Sequence, residues 1–486
     1  MTKTKKFPKV KILLSLTFLM ACVINTLLEF YREIVIITKQ IPSSLYYIKL
    51  FFSLPIICLM MSYVQKALNV YSILSIVNFI IFGFIGIFFL IGSLLIPFEY
   101  KIQKGSQWAL DIFCDGKMSV RSLMGLSPFL YMYSEWISTL CYILSELWST
   151  LVVGFALYAL ANHACTEDEM KEIVPNFSTI TAISMIISVA FIYIKDELAN
   201  ILPAGLHDKI DGSSLFFLIL SFVTTLIYFL KSYIPLKTKE IKETINKEED
   251  KTTSSFDLLQ SKFLRNMCAA ALIYAINAGF IDMSLKNSLS TGSRINNMPP
   301  KDYSQKYLVT TSLTISAVSL FYNFVIRGNR IASRIFYLSI ASPIAAIFFT
   351  ALISGLSFYN LRTAPSVLRI NLENWCATIG FAFSKITKYV LFDLAKEMLS
   401  MRVPVKYRYK FKSFYDGVCI KIGKSIISLY GTFLTFIEIP DIRQVSYVSF
   451  IFLIFANFLW IRSVCYLSKK YNESIEQNSE IDVDFN

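Results

Sequence analysis

Only two histidines occur in the 486 residues, and no two of the nine cysteines form a CxxC pair, so a metal centre has little to draw on. Most of those cysteines lie inside apolar segments, which argues equally against a disulfide framework. Charge is scarce: Asp, Glu, Lys and Arg make up 17% of the chain, where a soluble protein carries about 25%. That shortage excludes an ordinary soluble domain. Hydrophobic residues reach 55% and aromatic residues 15%. They gather in runs of about 18–25 residues, the length that crosses a bilayer as a helix. The chain reads as an all-α polytopic membrane protein in contact with membrane lipid.

The net charge of +13 would suit nucleic acid, but most Lys and Arg fall in short loops, as the positive-inside rule requires. No nucleic-acid partner, no metal and no cofactor are expected. The opening MTKTKKFPKVK is short and basic and leads into a span longer than a signal core. Neither a cleaved signal nor a transit peptide is expected.

About twelve spans can be placed, roughly at 12–31, 45–64, 71–96, 130–160, 175–194, 214–233, 264–284, 306–326, 332–356, 373–395, 414–436 and 444–466. The longest highly charged stretch, 232–262, divides them six and six. The expected organisation is a six-span half over 1–231, a charged cytoplasmic linker, a second half over 263–470 and an acidic tail over 471–486. The tail is expected to be disordered. Two six-helix halves joined by a long polar loop is a major-facilitator-like layout, with substrate bound near the midplane. Basic loops, including the run from Lys396 to Lys412, place both termini on the cytoplasmic side.

Ionisable residues inside spans are costly and by default mark function. Four stand out: Lys49 in YYIKLFF, Glu146 in ILSELWSTL, Asp282 in AGFIDMSLK and Lys424 in KIGKSII. Snorkelling at a span end is the plainer account of Lys49. Asp282 and Lys286 lie four apart on one helical face, so they either pair with each other or serve a site. Lys385 and Lys388 share a face in SKITKYVLFDLAKEM and are candidates for a cavity, whereas Lys396 and Glu397 fit a helix end tied by ion pairs. Several lysines with few fixed counter-ions suit a polyanion, because the ammonium is a compact point-charge donor to phosphate. Tyr46, Tyr47, Trp148, Tyr389 and Phe392 beside them either stack on a base or simply pack.

GVCIKIGKS at 417–425 misses the phosphate-binding P-loop by one residue, since five residues separate Gly417 from Gly423 where the pattern needs four. It also runs straight into the apolar IISLYGTFLTF. A P-loop ATPase is rejected.

SELWSTLVVGFALYALANHACTEDEMKEIVPNF resembles the fourth-span signature of the ATP/ADP translocase family of plastids and intracellular bacteria. KYVLFDLAKEM, the Gly-Lys-Ser, INAGFIDMSLKNSL and IPSSLYYIKLFFSLP are similar to further blocks of that family, and the likeness spans roughly 25–435. The family carries four important charged positions, two Lys and two Glu, and these fall on Lys49, Glu146, Asp282 and Lys424. Asp282 stands where Glu is usual, Arg32-Glu33 where Lys-Asp is common, and SMRVP replaces a usual AYIPL. The resemblance implies a major-facilitator-like fold. It also implies a carrier, not an enzyme, that takes in ATP and returns ADP by alternating access. Lys49 and Lys424 would hold the phosphates, and Glu146 and Asp282 would engage the lysines in the empty state or bind a coupling proton. A proton-coupled importer of broader nucleotide range is the alternative within this class. A polytopic membrane enzyme is the alternative outside it, but the loop 97–127 offers Asp111 and Asp115 and nothing that resembles a metal site. The expected location is the inner membrane of an obligate intracellular bacterium, with a microsporidian second.

Overall fold

The computed structural model describes residues 7–113, 125–234 and 260–483, apart from 69, 166, 201–211, 323–339, 365, 405–406, 408–410, 412–414, 416–418 and 478. All regular structure among these residues is helical. Eight helical stretches are long and apolar enough to cross a membrane: Lys9–Lys39, Ser44–Val64, Ile73–Leu95, Trp136–Ala161, Gly212–Ser232, Lys262–Ile295, Ala341–Arg362 and Ile442–Glu476. The protein is a multi-pass membrane protein. Its contacts divide it into two compact units, Met1–Lys239 and Glu240–Asn486.

In the first unit, α1 (Phe7–Lys39) ends three residues before Pro42, which lacks the N–H needed to extend a helix. After it come α2 (Ser44–Tyr47), a π-helical stretch Ile48–Ser53 and α3 (Leu54–Leu68). Ser72 caps α4 (Ile73–Leu90) by accepting from the Ser75 amide, and a second π-helical stretch, Ile91–Leu95, extends that helix. Short α5 (Glu99–Gln103) and α6 (Trp108–Phe113) precede α7 (Ser127–Ser134). The span expected over 130–160 is not one regular helix. Glu135 leaves the helical region at φ −106°, ψ 47°, separating α7 from α8 (Trp136–Leu147). A nine-residue π-helical stretch, Trp148–Ala156, then joins α8 to α9 (Leu157–Ala164). The unit closes with α10 (Glu167–Asn200) and α11 (Gly212–Ser232). α1 is its hub, packing on α8, α10 and α11. Trp148 is wholly buried against Phe84 and Phe88, at ring separations of 5.0 and 5.5 Å.

The second unit is built around α12 (Lys262–Ile295), capped by Ser261 through the Leu264 amide. Around it lie α13 (Pro300–Phe321), α14 (Ala341–Arg362), α15 (Val367–Thr387), a π-helical stretch Lys388–Phe392, α16 (Asp393–Arg402), α17 (Ile420–Phe436) and α18 (Ser446–Glu476). Of the expected span 332–356, residues 332–339 lie outside the described residues, and 341–356 fall in the helix Ala341–Arg362. Asn277 of α12 and Asn457 of α18 are both fully buried and exchange amide hydrogen bonds of 3.2 and 2.9 Å. Each amide also donates to a carbonyl one turn back, Asn277 to Ile273 and Asn457 to Leu453, so the pair is well satisfied and ties the two helices in one register.

The acidic tail corrects an expectation. Its described residues are packed rather than loose: Ile481 and Val483 are buried beside Phe263, Leu264 and Leu399. The Ile481 amide donates to the Arg402 carbonyl at 2.9 Å, and the Ser261 hydroxyl donates to the Val483 carbonyl. Apolar residues at alternate positions of EIDVDFN make this possible, and acidic composition concealed it.

Candidate functional site

Lys49 sits in the first π-helical stretch and is half-buried. That stretch packs on α8, which carries Glu146. Glu146 is also half-buried, and it meets an arginine. Arg32 Nη1 of α1 donates to Glu146 Oε1 at 2.6 Å and to the Ser145 hydroxyl at 3.3 Å. The guanidinium lies over the Tyr142 ring, 5.2 Å from its centroid, and Arg32 Nε is 3.7 Å from Glu33 Oε1. Arg32, which lies outside the four charged positions, is thus a direct partner of Glu146. The signal was present in the sequence as a charged pair, Arg32-Glu33, inside the apolar run LLEFYREIVII.

In the second unit the candidate residues come from α12 itself and from three elements that pack on it directly or through a neighbour. Asp282 and Lys286 do pair: Lys286 Nζ donates to Asp282 Oδ2 at 2.8 Å, with the ammonium almost fully buried and the carboxylate at its edge. Lys385 of α15 lies 4.6 Å from the centroid of Phe381. Lys388 opens the last π-helical stretch, 5.6 Å from the centroid of Tyr274 on α12. Both lysines are half-buried. Lys396 lies over the rings of Phe392 and Tyr415, at 5.8 and 5.6 Å from their centroids, and the expected ion pairing with Glu397 falls on a side chain outside the described residues. Lys49 and Glu146 thus belong to the first unit, and Asp282, Lys286, Lys385, Lys388 and Lys424 to the second.

The Gly-Lys-Ser lies in the first turns of α17. Its backbone amides serve the helix and offer no loop to cradle phosphate. Gly423 faces α12 so closely that an added Cβ would lie 2.7 Å from both the Leu272 carbonyl oxygen and Ala275 Cβ. Small residues permit such close helix crossings in membranes. Ser425 donates to the Lys421 carbonyl at 2.9 Å, one turn back. Lys424, turned away from that contact, is exposed.

A second charge cluster escaped the sequence reading. Glu373 of α15 and Arg443 are 0% and 1% exposed, and Arg443 Nη1 donates to Glu373 Oε1 at 3.2 Å. Asp441 holds the guanidinium through both oxygens, and the Thr291 hydroxyl accepts from Nη2. Ser357 and Asn360 of α14 donate to the two Glu373 oxygens at 2.8 and 2.7 Å. Asn374, Ser288, Tyr303 and Asn371 continue the network beside it. Every Glu373 oxygen is bonded, which marks a structural clasp joining α12, α14, α15 and the entry to α18 rather than a receptor for a ligand. Glu373 was visible as a charge inside a span, whereas Arg443 read as an ordinary loop residue.

Comparisons with known proteins agree on kinship. ADP,ATP carrier protein 4 of Encephalitozoon cuniculi is 29% identical over 100% of this chain and 93% of its own length. ADP,ATP carrier protein 1 of the same organism is 27% identical, over 97% of this chain and 88% of that one. ADP,ATP carrier protein 1 of Chlamydia trachomatis is 26% identical over 62% of this chain and 59% of its own. A family model described as TLC ATP/ADP transporter matches residues 3–471. With nearly its whole length matched, and with cation–carboxylate pairs built on α1 and α8 and on α12, the chain belongs to the TLC ATP/ADP transporter family.

Proposed function

We propose that this protein exchanges ATP for ADP across a membrane by alternating access, as a carrier and not an enzyme. Family membership carries the reading. The geometry supports it, because each unit holds a close cation–carboxylate pair at the edge of burial: Arg32 with Glu146 at 2.6 Å, and Lys286 with Asp282 at 2.8 Å. Such pairs keep the cations of an empty polyanion site compensated, at a cost in desolvation that function must justify. Lys49 and Lys424 hold the phosphates, with Lys385 and Lys388 as auxiliary cations. Asp282 and Glu146 trade their partners for substrate during the cycle.

The helices form twelve spans in two six-span halves of major-facilitator type, joined by the charged linker 232–262. The four spans beyond the eight apolar ones are those diluted by Arg369, Glu373, Lys385 and similar charges, or shortened at their ends. Both termini then face the cytoplasm. Relatives from a microsporidian and from Chlamydia both favour the membrane of an obligate intracellular organism that draws ATP from its host, and the longer matches favour the microsporidian side.

Vesicles containing the purified protein should take up labelled ATP several-fold faster when preloaded with ADP. Uptake that ignores internal ADP and collapses when the pH gradient is removed would replace this reading with the proton-coupled importer.

A further inference from the structure

Arg32 enters neither the set of four charged positions nor the lysine cluster, yet it is the group that Glu146 grips. A guanidinium offers five N–H donors in a planar fork. Here Nη1 makes both hydrogen bonds, Nε is buried without one, and Nη2 makes none among the described residues. A cation held only to bind Glu146 would use more of its fork, as Arg443 does with Asp441 and Glu373. The two arginines differ in access as well. The Arg443 side chain is 1% exposed, whereas Arg32 and Glu146 are 13% and 17% exposed and can be reached without unfolding the helices.

The surroundings suit phosphate. Lys49 is carried by a stretch that packs on α8, and α8 packs on α1, so the elements that carry the two cations share α8 as a neighbour. The Tyr142 ring lies against the guanidinium and limits where its plane can turn. Guanidinium binds carboxylate and phosphate through the same two-pronged geometry. Carboxylate and phosphate are therefore rivals for it.

We propose that Arg32 is a phosphate-binding residue of the nucleotide site, occupied by Glu146 when the site is empty and surrendered to a substrate phosphate on binding. This rests on the transport reading above and adds a competition to it. Glu146 acts as a resident stand-in for phosphate, so that an unoccupied Arg32 is never left uncompensated. The exchange makes and breaks no covalent bond: one anion leaves the fork as another enters.

The test is equilibrium binding of ATP, ADP and adenosine to the purified, detergent-solubilised protein, with thermal stability measured alongside. Glu146→Gln removes the rival anion while keeping the side chain's shape, so ATP should bind several-fold tighter while ADP-stimulated exchange slows. In Arg32→Gln/Glu146→Gln the buried charge is removed from both partners, and two amides can still hydrogen-bond. That variant should stay folded, melting somewhat lower because Glu33 loses a cation 3.7 Å away, and bind ATP at least about tenfold more weakly, the scale of a lost charged hydrogen bond. Adenosine, lacking phosphate, should respond to neither change. If Arg32 serves only to hold Glu146, the double variant will bind ATP as the wild type does and Glu146→Gln will not tighten it. Either of these results overturns the proposal while leaving transport intact. Should the double variant fail to fold, the Glu146→Gln affinity decides alone. Wild-type protein that neither binds nor exchanges these nucleotides would instead remove the transport reading itself.

Discussion

The Ser425 hydroxyl donates to the Lys421 carbonyl within its own helix, and the backbone amides around it are engaged in α17. Ser425→Ala should therefore leave exchange close to wild type. Lys424→Gln should nearly abolish it, and Lys424→Arg should retain part, because charge and not P-loop geometry is what that position supplies. A dead Ser425→Ala with measurable ATP hydrolysis would revive the P-loop. Next door, Gly423→Ala places a methyl 2.7 Å from the Leu272 carbonyl oxygen. A backbone atom has little room to move, so overpacking of about 1–3 kcal/mol is expected, read as a lower melting temperature. At this scale the sequence was informative wherever a charge broke an apolar run. Lys49, Glu146, Asp282 and Lys424 were singled out that way, and of the two readings that the spacing of Asp282 and Lys286 left open, the pairing is observed. The Arg32–Glu146 contact was not foreseeable, because 114 residues separate the partners and only the packing of α1 on α8 joins them.

Helices here are long, but several are not uniform. Lys49 lies in a π-helical stretch, Lys388 opens another, and a third begins two residues after Glu146. Stretches of this kind often lie at functional positions, because the widened turn leaves backbone groups less rigidly committed. Hydropathy places a span to within a few residues but is blind to such turns, and for that reason the expected 130–160 helix missed the break at Glu135. The clasp around Glu373 and Arg443 joins elements and belongs to their scale. Glu373→Ala strips a fully buried arginine of one of its two carboxylate partners, for a loss of about 3 kcal/mol. The melting temperature should fall clearly, while exchange per folded molecule stays near wild type. An unchanged melting temperature would show that Asp441 alone satisfies the guanidinium.

For the whole molecule, exchange of ATP for ADP moves one net negative charge per cycle, worth about 2.3 kcal/mol per 100 mV. ADP-loaded vesicles clamped with a potassium gradient and valinomycin should accordingly show ATP uptake that rises or falls with the sign of the potential. Indifference to potential would mean that the charge is balanced by another ion. The packed tail has a different kind of consequence, in biogenesis. Ile481 and Val483 fill the end of the second unit formed by Phe263, Leu264 and Leu399, and Arg402 and Ser261 tie their backbone down. Val483 lies 222 residues after Ser261. Phe263 and Leu264 therefore present an open apolar socket throughout synthesis of the second unit, and it closes only when this late segment arrives.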